Sequence, residues 1–151
     1  MTAKNHHACA LKINEIGILI KGKSGSGKTS LMLGLLERAK LENLNACMIA
    51  DDQVFLKRNT NSLIANAPEA TAGLVELRGY GIMKKPHQHS CEIKLIIDIL
   101  EDEKIDRLPE QKFHVFETLE LPLVEVPQNH ETQAVRIIFA WLQENTNLQV
   151  D

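Results

Sequence analysis

The sequence predicts an α/β fold built as one domain, and three observations carry that prediction. A short apolar run, Ile16 to Ile20, breaks into a glycine-rich turn, Gly22 to Thr29. Behind the turn, Leu31, Met32, Leu35, Leu36 and Ala39 recur at the spacing of one helix face. From Val54 to Val126 the chain changes character, with short apolar runs divided by turn residues, so strands dominate there.

Taken in order, Ile16-Gly17-Ile18-Leu19-Ile20 is apolar and too short for a helix, and reads as a buried strand. Lys28 to about Lys40 follows as an amphipathic helix, weakened slightly by Gly34. Leu41 to Asn45 is a polar connection. Ala46 to Ala50 is a second short strand, expected beside the first, and it ends in Asp51-Asp52. Val54 to Leu56 and Leu63 to Ala65 are strand pieces around a polar turn, Arg58 to Asn61. Leu74 to Gly81 carries an unusual run, LVELRGYG, and Lys84 to Ser90 reads as a loop with Pro86 and two histidines. Ile93 to Ile99 is a half- to fully buried strand, and Glu101 to Gln111 a solvated acidic connection. Phe113 to Phe116 and Leu119 to Val126 pair as a hairpin, with Pro122 placing its strand at an edge. Asn129 is the expected N-cap of a last helix whose inner face carries Val135, Ile138, Phe139 and Leu142.

Composition narrows the function. The 151 residues fit one domain, 1–151, with 44% hydrophobic and 25% charged residues, as in ordinary globular proteins. A net charge of −3 gives no general attraction to nucleic acid or anionic lipid. The apolar runs are far shorter than a membrane span, and Met1 to His7 lacks the apolar core of a signal peptide. Cys9, Cys47 and Cys91 are scattered without metal-ligand spacing, which predicts buried, reduced thiols in a cytoplasmic protein.

Gly22-Lys23-Ser24-Gly25-Ser26-Gly27-Lys28-Thr29 matches the phosphate-binding Walker A pattern in full, between a strand and a helix. The glycines let backbone N–H groups wrap a phosphate, and the helix N-terminus adds its orphan donors. Lys28 supplies a point charge to the outer phosphates, and the Thr29 hydroxyl can ligate Mg²⁺. ATP and Mg²⁺ are therefore the expected cofactors. Asp51 and Asp52 end the neighbouring strand, where a carboxylate reaches the metal shell or the nucleophile. Because successive side chains alternate, one can face the phosphate while the other anchors its loop. Read from the residues alone, the chemistry is phosphoryl transfer.

Glu76-Leu77-Arg78-Gly79-Tyr80-Gly81-Ile82 resembles the signature of the bacterial HPr(Ser) kinase/phosphorylase family. Other marks of that family fall in the same order: His7 fifteen residues before Gly22, the glycine-rich loop, Ala50-Asp51-Asp52, and Ala67-Pro68. The match runs from His7 to about Ile99 and looks like a compact form with the catalytic domain only. The resemblance implies a phosphoenolpyruvate-carboxykinase-like P-loop core with a mixed β-sheet and a C-terminal helix. It implies ATP-dependent phosphorylation of a serine on the phosphocarrier HPr of the sugar phosphotransferase system. Asp52 would take the serine proton, Thr29 and Glu76 would hold Mg²⁺, and His7 and Lys28 would line the phosphate site. Longer members assemble as hexamers, so a homo-oligomer is implied as well.

The chain departs from the family pattern at four places. Ser30 stands where an acid usually follows the loop, Lys23 stands where long members have an acid, and the linker to Asp51 is longer. Val126 to Glu131 lacks the family's glycine-arginine turn, and Arg136 is a poor substitute, which predicts weak phosphorylase activity. Two other readings stand beside this one. A small-molecule kinase needs a mobile arginine-rich lid, whereas Arg38, Arg58, Arg78, Arg107 and Arg136 are unclustered. The other is a nucleotide-binding regulatory module without catalysis.

Overall fold

The computed structural model describes residues 3–149. Among them the main sheet has nine strands. They are β1 (Lys4–His7), β2 (Cys9–Ile13), β3 (Ile16–Gly22), β4 (Ala46–Ala50), β5 (Gln53–Arg58), β6 (Leu63–Asn66), β9 (Ser90–Leu100), β10 (Lys112–Phe116) and β11 (Leu119–Pro127). A separate hairpin joins β7 (Leu74–Leu77) to β8 (Gly81–Lys84), and two helices, α1 (Lys28–Leu41) and α2 (Glu131–Asn145), complete the fold.

The sheet is mixed. Strands β3, β9 and β11 run parallel, and the remaining pairings are antiparallel. The eleven-residue β9 organises it, pairing with β3 along one edge. Its first residues hold β6 and its last hold β11 on the other edge. Leu95, Ile97 and Ile99 face the helices, whereas Ile96 and, across a register shift between Ile93 and Leu95, Ile93 join the core on the opposite face. The helices pack together on one face, where Leu31, Met32 and Leu35 meet Val135, Ile138 and Phe139 in one buried cluster. The Arg38 guanidinium also lies over the Phe139 ring, 4.8 Å from its centroid.

Several sequence expectations need correcting. The strand ending in Asp51-Asp52 is not beside the loop strand, because β2 lies between β3 and β4. Neither β1 nor β2 was anticipated. The first, Lys-Asn-His-His, has no apolar residue and is held by pairing with β5, and the second is only five residues long. Pro122 does not mark an edge strand, since β11 lies between β9 and β10. It precedes the first residue paired to β9, Leu123, so its missing N–H breaks no bond on that side. Asn129 does not cap the last helix. The turn runs one residue further to His130, which makes no capping bond, and Asp102 accepts from the Asn129 backbone N–H at 3.3 Å. Finally, Cys9 and Cys91 are buried but Cys47 is only partly so.

Candidate functional site

The Gly22–Thr29 loop has the conformation its glycine-rich sequence requires. Gly25 and Gly27 adopt φ of 79° and 100°, a left-handed backbone that side chains resist, and α1 starts directly after them. Lys28 is nearly buried and arches back over the loop, donating from Nζ to the carbonyls of Gly22 and Lys23, each at 3.1 Å. Its charge is thus held above the loop backbone before any ligand arrives.

Asp51 is the knot of the site. Its Oδ1 accepts from the Thr29 hydroxyl at 2.7 Å and from the Cys9 thiol at 3.3 Å. Its Oδ2 accepts from the backbone N–H of Glu76 at 3.2 Å. One carboxylate therefore ties the first turn of α1, the start of β2 and the β7–β8 hairpin together. Burial pushes the Cys9 thiol up to about 12, with a further rise from Asp51, so it remains a neutral donor. Asp51 reaches Thr29 across the intervening strand, with the thiol of Cys9, at the start of β2, bonded to the same oxygen.

Asp52 follows in a left-handed conformation, φ 68°, which turns its side chain away from that of Asp51. It is 60% exposed and lies with Oδ1 3.2 Å from Nδ1 of His7. The backbone agrees with that pairing, since Ala8 N–H donates to the Asp52 carbonyl at 3.1 Å. Asp52, Lys28, Thr29 and Glu76 line one cavity of about 630 Å³, whose other wall is the turn Arg78 to Gly81. Gly79 and Gly81, with φ of 94° and 123°, shape that turn, and Val75, fully buried, holds the hairpin to the core. Tyr80 on the turn is 75% exposed, and Ile82 beyond it is 62% exposed.

The structure therefore gathers Lys28, Thr29, Asp51, Asp52, Glu76 and, through Asp52, His7. Lys23 and Ser24 are exposed on the loop, and Lys23 is drawn towards Glu101, with Nζ 3.5 Å from Oε1. Arg78 and Ser30 also line the cavity, although the residue-level reading gave neither a role. Arg78 lay inside the signature run, which was the available signal. Arg136 is on the exposed face of α2 and lines no part of this cavity.

The oxygen donors fit a hard cation. Mg²⁺ characteristically takes one or two protein oxygens and completes its shell with phosphate and water. The Thr29 hydroxyl donates its proton to Asp51, which leaves its lone pairs free for a metal, and Glu76 lines the same cavity.

Residues 1–149 match the family model described as HPr Serine kinase C-terminal domain. The chain is 33% identical over 112 residues to the HPr kinase/phosphorylase of Clostridium botulinum, covering 68% of this chain and 35% of that protein. It is 32% identical over 133 residues to that of Lactobacillus acidophilus, covering 81% of this chain and 38% of that protein. The chain thus spans little more than a third of these relatives. The solved structure of the Hpr(Ser) kinase/phosphatase from Coxiella burnetii superposes with a TM-score of 0.77 at 24% identity, covering 93% of this chain and 97% of that one. That likeness shows the fold: a mixed sheet backed by helices, one of them C-terminal.

Proposed function

The chain belongs to the HPr serine kinase C-terminal domain family, and on that premise we propose that it transfers the terminal phosphoryl group of ATP to a serine hydroxyl of the phosphocarrier HPr. The observation that carries the reading is the Asp51 knot, which joins Thr29 of the phosphate loop to Glu76 of the signature hairpin around one cavity.

In this reading the loop amides and Lys28 bind and orient the phosphates. Thr29 and Glu76 hold Mg²⁺, which supplies neutralisation of charge on the transferring group. Asp51 fixes the Thr29 hydroxyl, and through the Glu76 N–H it sets the distance between loop and hairpin. Asp52 accepts the serine proton at a carboxylate oxygen. An ordinary carboxylate suffices, because a hydroxyl attacking a loose phosphoryl transition state loses its proton late. His7 positions that carboxylate through Nδ1. The hairpin presents Tyr80 and Ile82 to solvent beside the cavity, a surface suited to a protein acceptor rather than to a small molecule enclosed by a lid.

The reverse reaction, attack of inorganic phosphate on phosphoserine, brings two anions together and calls for extra positive charge. The segment Val126 to Glu131 supplies no arginine, and Lys23 is paired with Glu101. We therefore assign the chain a kinase activity much stronger than its phosphorylase activity.

The test is incubation of the chain with HPr, ATP and Mg²⁺, followed by mass spectrometry of HPr, with a panel of small acceptors alongside. Phosphoserine on HPr is expected. Unmodified HPr together with a phosphorylated small acceptor would refute the assignment.

A further inference from the structure

A phosphate chain seated in the Gly22–Thr29 loop leaves its nucleoside two directions. One runs past Thr29 towards Asp51, Asp52 and Glu76, where the reacting end belongs. The other crosses the first turn of α1 into a second cavity, of about 270 Å³, between Ser26, Ser30, Ile99, Gln128, Asn129 and Glu131. We propose that this second cavity takes the base of the nucleoside triphosphate: a flat, uncharged ring with hydrogen-bonding edges. The inference rests on the proposed reading of the loop as an ATP site, and adds to it the part of the protein that recognises the nucleoside.

Charge separates the two cavities. No lysine, arginine or histidine lines this cavity, and Glu131 does. Such a site repels phosphate, whereas the first cavity contains Lys28 and Arg78. The two cavities share Gly25, Gly27 and Ser30, so one ligand with an anionic end and a neutral end can span both.

The walls suit a flat ring. Leu31, Ile99, Pro127 and Ala134 are buried apolar residues from α1, β9, β11 and α2, and all four line the cavity. A flat ring placed among them buries its faces against hydrocarbon. Its edges meet the carboxamides of Gln128 and Asn129, each able to donate and to accept. Ser26, also a lining residue, has a buried hydroxyl without a hydrogen-bond partner among the described residues.

The local sequence keeps this space open. Gly34 of α1 faces Glu131, and a Cβ there would stand 3.1 Å from Glu131 Oε2, so the glycine lets the carboxylate lie against α1. Asp102 holds the turn through the Asn129 N–H and through His130, whose Nε2 is 3.0 Å from its Oδ2. The cavity also sits outside the carboxyl ends of the parallel strands β3, β9 and β11, the usual place for a ligand in an open sheet.

The experiment is calorimetric titration of the whole chain, in Mg²⁺, with ATP and separately with inorganic tripolyphosphate. The variants are Asn129→Trp, which fills the cavity from an exposed turn, and Gln128→Leu, which removes hydrogen-bonding capacity without filling it. Asn129→Trp is expected to weaken ATP by about tenfold or more, and Gln128→Leu by a smaller factor, with tripolyphosphate affinity unchanged. Equal affinity of the parent for both ligands would overturn the inference, as would variants that leave ATP binding intact or weaken both ligands together. If the parent bound neither ligand, the ATP-site reading itself would fall, and the base site with it.

Discussion

Removing the Asp51 carboxylate should cost stability and removing that of Asp52 should not, although the two acids are adjacent. Asp51→Ala strips the acceptor from the Thr29 hydroxyl at 2.7 Å and from the Glu76 N–H at 3.2 Å, with the Cys9 thiol a weaker third partner. Hydrogen bonds to a charged acceptor contribute about 1.5–3 kcal/mol each, and partial exposure puts these two near the lower bound, for a loss of about 2–4 kcal/mol. Asp52 pairs with His7 across a surface where the two side chains are 60% and 69% exposed. Such pairs contribute about 0–1 kcal/mol, so Asp52→Ala should be nearly neutral for folding. Urea unfolding of the parent and both variants measures the difference directly. Kinase assays on the same samples should show Asp52→Asn without phosphorylation but with ATP binding retained, and Asp51→Asn with both reduced. Asp52→Ala as destabilising as Asp51→Ala would refute the assignment of Asp51 as the structural knot. Full kinase activity in Asp52→Asn would remove Asp52 as the proton acceptor.

Three further outcomes are expected. Glu76→Gln should raise the Mg²⁺ concentration for half-maximal kinase rate, since a neutral amide replaces a carboxylate donor, and an unchanged titration would make Glu76 a surface acid only. Loss of phosphoserine from HPr in millimolar phosphate should be far slower than the forward reaction; a comparable rate would give the missing cationic role to Arg78 or Lys23. Alkylation should modify Cys47 first, because burial pushes Cys9 and Cys91 from the usual 9.0 up to about 12 and keeps them as thiols. The same shift has a sign for stability: the folded state holds those protons more tightly, so stability is present below about pH 9 and falls as pH rises towards 12, which an alkaline unfolding series would measure.

The parts legible in the sequence are those whose physics is local. Gly25 and Gly27 announce a loop that needs left-handed backbone, and the spacing from Leu31 to Ala39 announces one helix face, while the Glu76 to Ile82 run was legible as a signature but not as the hairpin it forms. Two strands stayed hidden, one for want of an apolar face and one for its shortness. The polar β1 pairs along β5, whereas β2, between β3 and β4, is largely apolar and buried on both faces, so its five residues show no alternation to read. Backbone hydrogen bonding is indifferent to side chains, so a strand without an apolar face leaves no periodic trace. The division of work between Asp51 and Asp52 was decided at the same level. Their adjacency promised two directions, but only the left-handed backbone at Asp52 and the approach of Thr29 and Glu76 from distant segments settle which acid faces which partner. The second cavity follows the same rule. Its walls come from α1, β9, β11 and α2, residues about a hundred positions apart, and no local pattern brings Ser26 to Asn129. The conformation of the Gly22–Thr29 loop follows from its own glycines, whereas the groups around it come from distant segments, because those contacts exist only once the sheet has ordered its strands.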